Sequence, residues 1–312
     1  MNILNRTKCA VILLILSATA FKTNACDICG CGVGGTYIGI LPEFNKHIIG
    51  LRYRQNLLTS HLQEGGNESY LTTKERYQSA EVWSGWNITS RLRVMSIIPY
   101  NSISQKRKDG QSLLQQGIGD VSIFSYYNII NSRKTPGYAK LLVQSLWLGA
   151  GIKLPTGRYS PANTNNTNAN LYQLGTGSYD VIFTAMYDIR LQDAGLNINA
   201  QYKMNTANNY AYQYGNKWSA TAQLYYKFNF KNTFFIAPNA GTQYDYANLD
   251  EDDDYDVVLS GGTLLLATAG VETYWKKHLN IGGNYQYPLS QNLAKGTVSA
   301  HSRWMFHVGI LF

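Results

Sequence analysis

The chain has 312 residues, 45% of them hydrophobic and 15% charged, with a formal net charge of +8. So few charges, with 24 Tyr and only 7 Pro, exclude a disordered chain, and a single long apolar run, at the N-terminus, excludes a bundle of membrane-spanning helices. The basic excess is too mild to argue for a nucleic-acid partner.

The chain opens like a sorting signal. Arg6 and Lys8 precede the apolar stretch from Ala10 to Ala20, and Thr23-Asn24-Ala25 comes next as a small-x-small cleavage pattern, so residues 1–25 are expected to be removed on export. Loss of Arg6, Lys8 and Lys22 lowers the net charge to about +5. The next segment, 26–45, begins Cys26-Asp27-Ile28-Cys29-Gly30-Cys31-Gly32 and continues rich in glycine. Three thiols in an oxidising compartment cannot all pair with one another. Cys26, Cys29 and Cys31 could hold a soft metal ion, copper above all. They could equally form one disulfide with a thiol left over, or present Cys26 for lipidation. The segment is read as periplasmic, and as a small plug for the periplasmic mouth of the strand-rich region beyond residue 45.

From residue 46 onward the pattern is one of period two. In 196–205, Leu196, Ile198, Ala200, Tyr202 and Met204 alternate with Asn197, Asn199, Gln201, Lys203 and Asn205. Such segments fall near 46–57, 78–90, 91–103, 118–131, 140–154, 178–191, 195–205, 217–230, 231–244, 262–275, 278–289 and 301–312. Tight connections at 89–91, 191–195, 229–232 and 276–277 interleave with long ones at 58–77, 104–117, 155–177, 206–216, 245–261 and 290–300. Even strand number and alternating loop length predict a closed antiparallel transmembrane β-barrel of about 12 strands, of the outer-membrane type, over 46–312. Trp86, Tyr100, Trp218, Tyr274 and Trp275 sit at segment ends, as interfacial girdles do.

With each apolar set facing lipid, the lumen receives Arg52, Arg54, Glu81, Arg93, Asp120, Lys153, Asp180, Asp188, Arg190, Lys203, Lys217, Lys227, Glu272, Arg303 and His307. Such an interior suits hydrophilic solutes with a mild preference for anions. Paired side chains that fill and brace a narrow barrel are the competing account. The acidic run Asp250, Glu251, Asp252, Asp253, Asp254 and Asp256 is placed in an external loop, where clustered carboxylates could attract cations. Trp304, Phe306, Val308 and Ile310 lead at alternate positions to a terminal Phe312, an arrangement resembling the signal read by the barrel-assembly machinery.

Three motifs occur in order: Gly117-Ile118-Gly119-Asp120 opening a strand, Gly151-Ile152-Lys153-Leu154-Pro155-Thr156-Gly157 closing the next, and Leu174-Gly175-Thr176-Gly177-Ser178-Tyr179-Asp180 opening the one after. Over about residues 115–312 this order resembles the outer-membrane transporter family of the MetA-pathway-of-phenol-degradation type, and more loosely FadL-type channels, which have fourteen strands and an N-terminal hatch. The resemblance implies a transporter of small molecules. Read physically, the same glycines and Pro-Thr-Gly mark strand ends.

No catalytic constellation emerges. There is no G-x-S-x-G and no H-E-x-x-H, and the adjacent His301 and Ser302 point to opposite faces of a strand. The expected protein is therefore not an enzyme but an outer-membrane channel of a Gram-negative bacterium, whose partners are the lipid bilayer and a small solute. A non-conducting barrel that binds metal or a redox partner through its thiols, and a structural or adhesion barrel, are the alternatives.

Overall fold

The computed structural model describes residues 46–312, apart from 64–65, 109, 136–140, 161–171, 231–232 and 277. Twelve antiparallel strands form the wall: β1 (Ile48–Ser60), β2 (Thr73–Asn87), β3 (Leu92–Arg107), β4 in two pieces (Ser112–Ile118 and Val121–Lys134), β5 (Leu142–Leu154), β6 (Asp180–Leu191), β7 (Ala194–Met204), β8 (Lys217–Tyr226, continued by Phe228–Phe230), β9 (Phe234–Ala247), β10 (Gly262–Trp275), β11 (Leu279–Leu293) and β12 (Ser299–Leu311). Each pairs with its chain neighbours, and β1 pairs with β12 from Ile48↔Leu311 to Thr59↔Ser299, which closes the sheet and removes its edges.

Alternation decides which side chains meet the outside. On β1, Ile49, Leu51 and Tyr53 are exposed while Ile48 and Arg52 are buried; on β12, Trp304, Phe306, Val308 and Ile310 face out while Arg303, Met305 and His307 face in. The result is an apolar belt far larger than a water-facing wall would expose. Trp86, Tyr100, Trp218 and Trp275 belong to this outer surface. Tyr274 does not. It is only 3% exposed, because its neighbour Trp275 takes the outward position and period two turns Tyr274 into the lumen.

His47 and Phe312, which exchange backbone hydrogen bonds, lie at one mouth with the ends at which β2, β4, β6, β8 and β10 finish; β1, β3, β5, β7, β9 and β11 finish at the other. Two connections expected to be long, 104–117 and 290–300, are mostly strand. The β3–β4 hairpin runs on until Arg107 N–H donates to Gln111 O (2.9 Å), and β11 continues to Leu293. In the first of them Leu114 points outward and Leu113 packs inward against the buried cluster, but the extra residue at Gly119-Asp120 breaks the alternation between this piece and the strand that follows. Above the same mouth, Tyr212–Gln213, Asp250–Asp252 and Tyr255–Val257 form a small separate sheet.

The interior is also less polar than expected. Assigning each apolar set to lipid overlooked two buried clusters inside the wall. One, towards the termini, contains Trp83, Met95, Phe124, Tyr126, Trp147 and Tyr274; the other, towards the long loops, contains Leu58, Tyr77, Ile103, Tyr172, Leu174, Leu264 and Leu293. Charged and apolar residues share the inward face, as where Glu81 is followed two positions on by Trp83, and only the charged ones stand out in the sequence.

Candidate functional site

Between the two apolar layers lies a polar chamber. Arg52 and Arg54 come from β1 and Glu81 from the facing position on β2, where Arg52 is the direct register partner of Glu81. Arg52 Nε donates to Glu81 Oε2 (2.6 Å), and Arg54 Nη2 forms an ion pair with Glu81 Oε1. Across the lumen Lys153 Nζ lies 2.6 Å from Asp180 and 3.0 Å from Asp120, and Lys203 Nζ lies 3.1 Å from Asp180. Arg52, Arg54, Glu81, Asp120, Lys153 and Lys203, with Tyr77, Phe124 and Leu174, line a cavity of about 130 Å³, and Asp180 lies behind the two lysines.

The three sequence motifs converge on one side of that cavity. Opposite β3, Tyr100 pairs with Ile118 whereas Ile97 pairs with Ser122, so β4 carries one extra residue at Gly119-Asp120. This bulge turns Asp120 inward. Its Oδ1 accepts from Gly157 N–H (2.9 Å), and its Oδ2 accepts from Thr176 N–H (2.8 Å), Thr176 Oγ1 (2.9 Å) and Lys153. Thr156 completes the knot by donating to Gly119 O (2.8 Å) and accepting from Val121 N–H (2.9 Å). Two backbones cross here at contact distance. A Cβ on Gly157 would lie 2.7 Å from Gly175 Cα, and one on Gly175 would lie 2.8 Å from the carbonyl carbon of Gly157, so neither site admits a side chain without displacement.

The knot holds residues 172–179 over the chamber. Asn101 Nδ2 donates to Leu174 O (3.0 Å) and Asn208 Nδ2 to Thr176 O (3.1 Å), while Leu174 packs into the upper apolar cluster. Tyr172 reaches further in: its hydroxyl donates to Glu75 Oε1 (2.6 Å) and accepts from Gln105 Nε2, and Glu75 also accepts from Tyr77 (2.9 Å) and Ser60. Burial, reinforced by Glu75, pushes the Tyr172 phenol above its ordinary pKa, which keeps it a neutral donor.

The remaining inward charges brace other parts of the wall. Arg93 donates to Asn87 Oδ1 (3.2 Å) and Lys46 O (3.0 Å) near the termini, and His307 Nε2 lies 3.1 Å from Glu272. Arg303 pairs with Asp245 (3.0 Å), and Asp188 accepts from Tyr225 and Asn197 on the side of the barrel that also carries Arg190. Lys227 sits 3.8 Å above the Phe235 ring. None of these lines the cavity.

The acidic run divides. Asp250 is buried and accepts from Tyr212 Oη (2.8 Å) and Gly215 N–H (2.6 Å), whereas Asp253 and Asp254 form the hairpin turn with positive φ (51° and 65°) and Glu251, Asp252 and Asp256 stay at the surface. Burial, only partly offset by Lys217, raises the Asp250 carboxyl above the usual carboxylate range. Among the described residues no three His, Cys, Asp or Glu side chains are grouped so as to hold a metal ion. Cys26, Cys29 and Cys31, with the signal and plug segments, lie outside the described residues. Sequence reasoning missed Glu75, Tyr172 and Thr176, which fell in or beside stretches read as external loop.

No protein-family model matches the sequence, and no curated protein matches it. Solved structures do share its fold. The COG4313 outer membrane channel from Pseudomonas putida F1 superposes with a TM-score of 0.62 at 15% identity, over 89% of this chain and 99% of that one. The β domain of the Bordetella autotransporter BrkA gives a TM-score of 0.52 at 10% identity, over 86% and 99%. The chain is a closed twelve-stranded antiparallel β-barrel of the outer-membrane type.

Proposed function

We propose that this protein is an outer-membrane channel for small solutes, exported by way of residues 1–25, and that its conducting path runs through the chamber between Arg52, Arg54 and Glu81 on one wall and Lys153 and Asp120 on the other. The observation that carries this reading is the chamber itself: an ion-lined space inside a barrel whose outside is apolar. A barrel serving only as a structural anchor has no need of a hollow flanked by charge. The likeness in fold to an outer membrane channel supports the same reading. Phe312, exposed and packed edge-on to Trp86, suits recognition by the assembly machinery from the periplasmic side.

In this reading residues 172–179 form the gate. Solute passes when the segment lifts, and the knot at Asp120 sets how often that happens. Removing the Asp120 carboxylate takes away four acceptor contacts, each worth about 1.5–3 kcal/mol for a charged partner and not additive. The test is single-channel current across planar bilayers for the refolded wild type, Asp120→Ala and Tyr172→Ala. The expected result is brief or small openings in the wild type and current at least about tenfold larger on average in both variants. Silence from all three, with each protein folded, overturns the channel reading.

A further inference from the structure

Two lysines meet on the outer face of the wall. Lys74 on β2 is the register partner of Lys106 on β3, and both side chains are exposed while those of Glu75 and Gln105 beside them are buried inside. Like charges set directly opposite one another on an antiparallel pair repel. Arg76, two residues along β2 on the same face, adds a third exposed cation. Among the described residues none of the three forms an ion pair: Glu68 is in contact with Lys108 (2.8 Å) and acts on Lys74 only at longer range. The position of these cations matters as much as their sign. Arg76 stands opposite Leu57 on one side and Ser104 on the other, and Ser104 in turn stands opposite Leu114, which is 59% exposed. The two lysines lie two residues further towards the mouth at which β1 and β3 finish. Along tilted strands that is a rise of roughly 5 Å, about the depth of a headgroup layer. The positive charge therefore begins where the exposed apolar surface ends.

We propose that Lys74, Lys106 and Arg76 form a docking site on the outside of the barrel for a diphosphorylated, multiply acylated glycolipid of the outer leaflet, of the lipid A type. A phosphate between Lys74 and Lys106 turns their mutual repulsion into shared attraction, and the planar fork of Arg76 suits phosphate oxygens on the acyl side. The acyl chains run down the wall over Leu114 and Tyr100, both exposed. Three cations so close together call for more than one negative charge, which a glycerophospholipid with its single phosphate does not bring. The inference goes beyond conduction. It rests on the outer-membrane reading with this mouth directed outwards, and it does not need an open lumen.

Native mass spectrometry of the refolded mature chain, released from detergent micelles, tests it with diphosphoryl lipid A, monophosphoryl lipid A and phosphatidylglycerol as probes. The wild type should retain diphosphoryl lipid A, with the other two lipids weaker by at least about tenfold. The double variant Lys74→Gln/Lys106→Gln should weaken retention of diphosphoryl lipid A by at least about tenfold, whereas Lys295→Gln, an exposed cation between β11 and β12 at the same mouth, should leave it unchanged. Heat-dependent gel migration verifies that each variant is folded. The proposal is overturned if phosphatidylglycerol or monophosphoryl lipid A binds as tightly as the diphosphorylated form, if the folded double variant binds like the wild type, or if Lys295→Gln loses as much. Displacement of the lipid by an equal concentration of inorganic phosphate also overturns it, because the patch is then a site for free anions. Bilayer current separates this failure from that of the channel: a barrel that conducts yet ignores lipid A loses the docking site and keeps the channel, whereas a silent barrel that binds lipid A loses the channel and keeps the docking site.

Discussion

Asp250 and Asp120 are both buried aspartates near the same mouth, yet they are solvated by the protein in different ways. Asp120 is met by a lysine and three donors, whereas Asp250 has two donors and the more distant pull of Lys217. Burial therefore wins at Asp250 and raises its pKa. A carboxyl whose folded pKa is raised binds more protons folded than unfolded, so its contribution is greatest below the ordinary carboxylate range and falls as pH rises to the folded value. Hydrogen exchange at the Gly215 amide, corrected for intrinsic rates, should lose protection as pH increases through that window, by at most about tenfold per pH unit. Asp250→Asn should flatten the profile. Equal profiles in the two proteins would show that the carboxyl does not titrate with the sheet. At this scale the sequence was legible for charge and silent on partnership. Asp120, Lys153, Asp180 and Lys203 stood out on polar faces of strands. Glu75 and Tyr172 did not, because the loop that brings them together has no periodicity to read.

The strand that departs most from its sequence pattern is β4. Its upper piece points Leu114 and Ile118 outward, and its lower piece Ile123 and Tyr127, although Ile118 and Ile123 are an odd number of residues apart. Only the extra residue at Gly119-Asp120 reconciles the two, by resetting which parity faces lipid. The sequence signalled a strand from 118 onward and a loop before it because the change of parity ends the alternation at that point. In a background without native cysteines, spin labels at Ile118→Cys and Ile123→Cys should both be relaxed more by oxygen dissolved in lipid than by a charged nickel chelate. A label at Ser122→Cys should show the opposite order. Labels at 118 and 123 that report different environments would remove the bulge, and with it the reason Asp120 reaches Gly157 and Thr176. The motif is thus best understood as geometry first: Gly-Asp makes the bulge, and Pro-Thr-Gly and Gly-Thr-Gly supply the backbone it grips.

The whole molecule reverses the usual placement of apolar and charged side chains without making its interior simply polar. Outside, Leu51, Val82 and Ile98 are register neighbours on three adjacent strands and are 60%, 47% and 46% exposed, which is tolerable only against lipid. Inside, each buried cation of the chamber faces a carboxylate while aromatic layers above and below limit the water that reaches it. This division makes the belt testable apart from the chamber. Val82→Arg places a charge in the middle of the apolar band and should cost about 2–4 kcal/mol in the equilibrium for folding into vesicles. Tyr70→Arg, in the connection 61–72 where Tyr70 is 82% exposed, should cost close to nothing. If the two cost the same, Val82 does not face hydrocarbon and the barrel's orientation in the membrane is wrong. If they differ as expected, the strands expose their apolar set because lipid accepts it, and the same alternation is what turns the charged residues into the lumen.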